Sequence, residues 1–193
     1  MKKETVGRGF RVPGFTTAGI FCGIKTNKQK DLALIFSEEP CVAAGLFTSN
    51  QVVSPTITWC QEILKSSKRF RAIVVNSGNA NACTGPKGME DCKSLASKLS
   101  QKLSVEPKEI LIASTGIIGV PLPINKIVKA LPALSSKLSP IGWVSSAEAI
   151  MTTDLTPKFK SLSFYIGKDK ITMGGIAKGS GICLLYTSPS PRD

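Results

Sequence analysis

A strand, a helix and a second strand follow one another between residues 72 and 114, and this order constrains the fold more than any other feature of the chain. The runs AIVVN (72–76) and EILIAS (109–114) are short and apolar and read as buried strands. Between them Cys92, Leu95, Ala96, Leu99 and Leu103 recur at helical spacing, so residues 91–103 form a helix with one apolar stripe. Glu90 and Asp91 sit where the N-terminal end of the helix dipole favours negative charge. The same alternation extends in both directions. Residues 31–36 and 41–48 read as two strands joined by a turn at 37–40, and a helix begins at Ser54. Ile124, Ile127, Val128 and Leu131 mark another helix, closed or kinked by Pro132. Residues 145–151 are a short helix candidate, and 162–166 with 170–173 read as a hairpin about a turn at 167–169. The expected fold class is an alternating α/β chain.

The chain has 193 residues, enough for one domain with a core or for a large piece of a bigger one. Its apolar fraction of 42% fits a folded protein, and its longest apolar runs are too short to span a bilayer. There is no histidine, and the six cysteines form no CxxC pair. Zinc sites built on Cys and His are disfavoured, and Ser-His-Asp or Cys-His catalysis is excluded. A nucleophile in this protein needs another base. The net charge of +12 is high, but the lysines are scattered and few aromatics lie among them. A solvated basic surface is therefore preferred to a nucleic-acid groove, and no nucleic-acid or membrane partner is expected. No metal or cofactor is expected, and the cytoplasm is the default location.

Four stretches can carry chemistry. In NSGNANACTG (76–85), backbone N–H groups and Asn amides either line a cleft or satisfy the loop itself. In STGIIG (114–119), a Thr-Gly pair past a buried strand offers a hydroxyl and an unhindered N–H, donors suited to the oxyanion of an acyl-transfer intermediate. An ordinary capping turn is the alternative there. AIMTTD (149–154) gathers two hydroxyls and a carboxylate at a helix end, or is turn chemistry alone. Lys178, in AKGSG (177–181), is placed to meet a carboxylate, or is one surface lysine among many.

The ordered set of motifs resembles the ornithine acetyltransferase (glutamate N-acetyltransferase) family of arginine biosynthesis. The set runs GFTTAGIFCGIK (14–25), DLALI (31–35), AAGLFTSN (43–50), AIVVNSGNANACTG (72–85), ASTGIIG (113–119), LPINKI (122–127), AIMTTD (149–154) and GGIAKGSG (174–181). The resemblance implies the fold of that family, incomplete without a second, β, chain cut from the same precursor. It implies that a threonine at the head of the β chain attacks the acetyl group of N-acetylornithine, with its own α-amine as base. The acetyl-threonyl intermediate then passes the acetyl group to glutamate. By the motif match Thr115 and Gly116 form the oxyanion hole, and Thr152 and Lys178 bind substrate; Thr153 is a less favoured neighbour. The family arrangement is two α and two β chains, and acetyl-CoA is a second donor where the enzyme is bifunctional.

The resemblance also marks a break. The family continues into Pro-Asn-Met-Ala-Thr-Met-Leu, whereas here Ile182 stands where Met is usual and CLLYTSPSPRD (183–193) follows. The expected nucleophile position is Pro189, and Thr187 lacks the context to take the role. Residues 183–193 resemble a translated sequencing adapter. The expectation is an α-chain region over 1–182, a non-native tail over 183–193, no nucleophile in this chain and no activity from it alone. The competing classes are a basic nucleic-acid-binding module and a related self-cleaving aminopeptidase-like hydrolase.

Overall fold

The computed structural model describes residues 4–5 and 11–179, so the expected boundary after residue 182 and the tail lie outside the described residues. The strands are β1 (Glu4–Thr5), β2 (Phe15–Ile20), β3 (Leu32–Cys41), β4 (Phe70–Asn79), β5 (Ile110–Ile117), β6 (Lys158–Ile166) and β7 (Asp169–Ala177). The helices are α1 (Pro55–Ser66), α2 (Gly85–Leu103), α3 (Ile124–Ser136) and α4 (Trp143–Ile150). A four-stranded sheet has the order β2-β3-β4-β5, and a three-stranded sheet the order β1-β6-β7. Among the described residues only the β4–β5 pair is parallel, and it is the pair joined by α2.

The four-stranded sheet is covered on both faces, which is why its strands read as nearly continuous apolar runs. On one face Leu32, Leu34, Val74, Ile110 and Ile112 pack on Leu95 and Leu99 of α2 and Ile127, Leu131 and Leu134 of α3. A fully buried leucine such as Leu34 contributes about 1.5–3 kcal/mol over an exposed one. On the other face Ala33 meets Ala149 and Ile150 of α4. That helix lies very close to β2: a Cβ built on Gly19 would stand 1.9 Å from the Ser145 carbonyl oxygen, so only glycine fits. The open edge of β5 is covered by α1. Trp59 Nε1 donates to the Ile110 carbonyl, and the Cys60 thiol donates to that of Ile112. A hydrogen-bonded cover of this kind keeps an edge strand from pairing elsewhere.

The small sheet docks through Phe159 and Ile176, which pack beside Trp143 of α4. Its hairpin turns through Gly167 and Lys168, with Gly167 at φ 62, as a two-residue loop with glycine first requires.

Several expectations need correction. Residues 37–40 do not turn the chain: β3 runs through them with a register shift between Phe36 and Cys41. Arg71 holds the irregular stretch open by donating to the Ser37 and Glu38 carbonyls. Residues 42–50 are then not a strand; Val42 and Leu46 are almost wholly exposed. The Gly- and Asn-rich stretch 76–85 is a loop only in its middle, because β4 reaches Asn79 and α2 begins at Gly85. Pro132 does not close α3. Burial of Ile127, Leu131 and Leu134 outweighs the one hydrogen bond that proline removes.

Candidate active site

The parallel strands β4 and β5 end side by side, and the carboxyl ends of adjacent parallel strands are where an α/β sheet presents its ligand crevice. Asn76 is paired with Ser114, Ser77 with Thr115 and Gly78 with Gly116. The two stretches singled out for Gly-Asn and Thr-Gly chemistry are therefore one structure.

Of the two readings of the Asn-rich stretch, the structure shows the self-satisfying one. Asn76 accepts from the Ser114 hydroxyl and donates to the Asn79 carbonyl. Asn79 donates to the carbonyls of Val120 and Pro121, and Asn81 donates to that of Gly88. All three are buried, so these amides fix the strand ends and the start of α2 and do not line a cleft. Ser77 adds a brace to α4 by donating to the Ala149 carbonyl at 2.6 Å.

Gly116 has φ 134 and Gly78 has φ 101, both in the region that favours glycine. A Cβ on Gly116 would stand 2.4 Å from the Gly78 carbonyl carbon. The glycine pair thus lets two backbones touch and leaves the exposed Gly116 peptide without a side chain over it.

Lys178 lies one residue past β7 and 63 residues from Thr115, yet its Nζ donates to Thr115 Oγ1 at 2.6 Å. The same Nζ donates to Thr152 Oγ1 at 2.8 Å. Three of the four residues named from sequence meet at one ammonium group, and the fourth, Gly116, adjoins Thr115. Thr153 is exposed beside them. Each hydroxyl accepts from Lys178, so each keeps its own O–H proton to donate. The ammonium has three protons and gives two to these hydroxyls.

Asp154 locks this arrangement and its weight was not legible in the sequence. Its side chain is fully buried and pairs with Lys158. It accepts the Gly179 N–H at 2.7 Å and the Thr152 N–H at 3.3 Å. One carboxylate therefore holds the backbone beside Lys178 and beside Thr152. Burial pushes its pKa up, but the hydrogen bonds from Lys158, Gly179 and Thr152 outweigh burial and hold it at about 2. The sequence set the Asp154 carboxylate beside two hydroxyls in AIMTTD, but that cluster carries no mark of its pairing with Lys158 or with the Gly179 backbone.

Three of the five described thiols, the half-buried Cys22 and the buried Cys60 and Cys92, are poor nucleophile candidates. Burial pushes Cys22 and Cys92 up to about 12 and raises Cys60 as well. Among the described residues no group of three or more His, Cys, Asp or Glu side chains is placed to hold a metal ion. No helix of the described residues is long and apolar enough to cross a membrane. What the site offers is hydroxyls, an ammonium and a bare glycine peptide at the end of a parallel strand pair, a set of donors fit for a negative oxygen.

Related proteins share the two-sheet α/β fold. The ArgJ family profile matches residues 16–184. The arginine biosynthesis bifunctional protein ArgJ of Caldanaerobacter subterraneus subsp. tengcongensis is 47% identical over 88% of this chain and 41% of its own length. The protein of the same name from Synechocystis is 44% identical over 88% of this chain and 41% of its own. Among solved structures, ornithine acetyltransferase from Mycobacterium tuberculosis, complexed with ornithine, superposes with a TM-score of 0.87 at 37% identity. That match covers 94% of this chain and 97% of the matched one. ArgJ from Bacillus halodurans superposes with a TM-score of 0.86 at 31% identity, over 94% and 95% of the two chains. The chain belongs to the ArgJ family. It spans about two fifths (41%) of the length of these curated relatives.

Proposed function

We propose that this chain forms the oxyanion and donor-substrate half of an acetyltransferase that moves an acetyl group from N-acetylornithine to glutamate. The observation that carries the reading is the convergence of Thr115, Thr152 and Lys178 at one ammonium beside Gly116. The ornithine complex of the Mycobacterium tuberculosis relative supports the substrate class.

In this reading the donor carbonyl oxygen sits against the Thr115 hydroxyl and the Gly116 peptide, which stabilise it when it becomes negative. Lys178 and Thr152 hold the rest of the donor, and Lys178 adds positive charge next to the developing oxyanion. The attacking group is a threonine hydroxyl in a segment that follows Lys178 in the family, with its α-amine as base. Its oxygen bonds to the acetyl carbon, the C–N bond to ornithine breaks, and the ornithine amine leaves with the proton. The glutamate amine then attacks the acetyl-threonyl ester and releases the threonine hydroxyl. Glutamate, a β chain of the same precursor, a two-α two-β assembly and a cytoplasmic site of action belong to the same proposal. Acetyl-CoA is a further candidate donor, in keeping with the word bifunctional in the names of the relatives.

The test is acetyl transfer from labelled N-acetylornithine to glutamate, measured in the intact precursor and in the 193-residue chain alone. The chain alone is expected to give no turnover. In the precursor, Lys178→Met is expected to lower kcat/KM by about 100-fold, as loss of one oxyanion-side donor does. An unchanged kcat/KM in that variant would remove the basis of the proposal.

A further inference from the structure

Lys25 has no role in the proposal above, and its surroundings are unusual for a lysine. It closes the turn after β2, which Asp31 organises from within. That buried carboxylate accepts the N–H groups of Cys22 at 2.6 Å, Ile24 at 2.7 Å and Lys25 at 3.0 Å. The turn is thereby held in one shape and aims the Lys25 side chain in one direction. Its stem crosses Gly78: a Cβ there would stand 3.2 Å from Lys25 Cγ. Beyond Gly78 the ammonium donates to the Lys30 carbonyl at 2.8 Å and to the Met151 carbonyl at 2.7 Å.

Met151 is the residue before Thr152. Lys25 therefore fixes the peptide that leads into one of the two hydroxyls that Lys178 engages, while its stem lies on the glycine that backs Gly116. Asp154 fixes the same segment from the other end through the Thr152 N–H. The placement is costly. Burial lowers the Lys25 pKa; Asp31 partly offsets this, and the charge of Lys178 lowers it further. A neutral side chain would brace the turn without setting two cations near each other.

We infer that Lys25 is a positioning residue of the acyl-transfer site, reaching past Gly78 to pin the Met151–Thr152 peptide so that Thr152 and Lys178 meet the donor substrate in register. The inference rests on the proposed function and names a residue that the motif match did not assign. Lys126 provides the contrast. It also donates to a carbonyl of this turn, that of Gly23 at 2.8 Å, but it is exposed and bonds nothing near Thr152. If bracing the turn were all that mattered, the two lysines would be equivalent.

The experiment compares Lys25→Met and Lys126→Met in the intact precursor, reading KM and kcat for N-acetylornithine alongside the urea midpoint. Lys25→Met keeps the stem over Gly78 and removes only the ammonium. It is expected to raise KM about tenfold, the scale of one lost hydrogen bond to a charged group, with Lys126→Met within about twofold of the parent. Should Lys25→Met not fold, Lys25→Gln keeps a donor on a shorter stem and is expected to raise KM in the same direction. An unchanged KM in the folded Lys25 variant, or an equal rise in Lys126→Met, overturns the inference. Thr152→Val and Lys178→Met separate the two levels. If they raise KM and Lys25→Met does not, the inference falls alone. If all three are silent, the reading of the site falls and takes the inference with it.

Discussion

The four-stranded sheet and the β6–β7 hairpin are built from similar strands but stand in opposite conditions. In the larger sheet Leu32, Leu34 and Ile110 are completely buried under α2 and α3, and Ala33 is completely buried under α4 on the other face. In the hairpin Tyr165, Ile166 and Met173 are each about 60% exposed, and only Phe159 and Ile176 reach the core beside Trp143. The larger sheet supplies its own support. The hairpin leaves an apolar face open among the described residues and is held by few anchors. The candidate site joins the two, because Thr115 lies near the end of β5 in the first and Lys178 follows the last strand of the second. Stability and function are therefore expected to separate: the sheet governs whether the protein folds, and the docking of the hairpin governs whether Lys178 reaches the two hydroxyls.

The largest expected effect lies in the covered sheet. Leu34→Ala should lower the unfolding free energy by about 2–5 kcal/mol, measured by urea denaturation, because it leaves a cavity that close-packed neighbours cannot fill. A loss of the size seen for a surface residue would mean the sheet is not the stabilising region. Next comes the junction. Gly116→Ala sets a Cβ against the Gly78 backbone and forces a side chain into positive φ, so a loss of about 1–3 kcal/mol is expected along with loss of transfer activity. A variant of normal stability and activity would show that the glycine contact is dispensable.

Asp154 tests the seam between the two regions by pH. Its folded pKa of about 2 lies below the ordinary 3.8, so the stability it contributes is complete above pH 3.8 and is lost as pH falls towards 2. Thermal melts of the parent and of Asp154→Asn should differ most near neutral pH and converge below 3.8. A gap that stays constant to the acid limit would count against the carboxylate's role. The smallest effect is expected in the hairpin: Met173→Ser should stay within about 0.5 kcal/mol, as exposed substitutions do. A larger loss would show that this face is covered in solution, and the comparison between the two regions would need redrawing.

Much of the scaffold was legible in the residues. The stripe from Cys92 to Leu103 and the apolar runs around Val74 and Ile112 each produced the element their period calls for. The misses have separate physical causes. The turn expected at 37–40 was overridden by Arg71, whose hydrogen bonds come from another strand. Pro132 does not end α3, one half of what was expected of it, because burial of its neighbours carries the helix through it. The reading of the Asn-rich stretch stayed open because an amide's partners lie up to 42 residues away, as between Asn79 and Pro121.

The sequence by itself determined the periodicities that set each helix and buried strand, and the ordered motifs that place the chain in the ArgJ family. Both are local or linear properties, and they survive in a string of letters. Only the tertiary structure decided that Lys178 lies between Thr115 and Thr152, that Asp154 binds the backbone on both sides of that contact, and that Lys25 crosses Gly78 to reach Met151. Those contacts join residues 25 to 126 positions apart in sequence, apart from the short Thr152–Asp154 link. They form only once the hairpin docks and two strand ends lie parallel, because a hydrogen bond acts over about 3 Å of space whatever the separation along the chain.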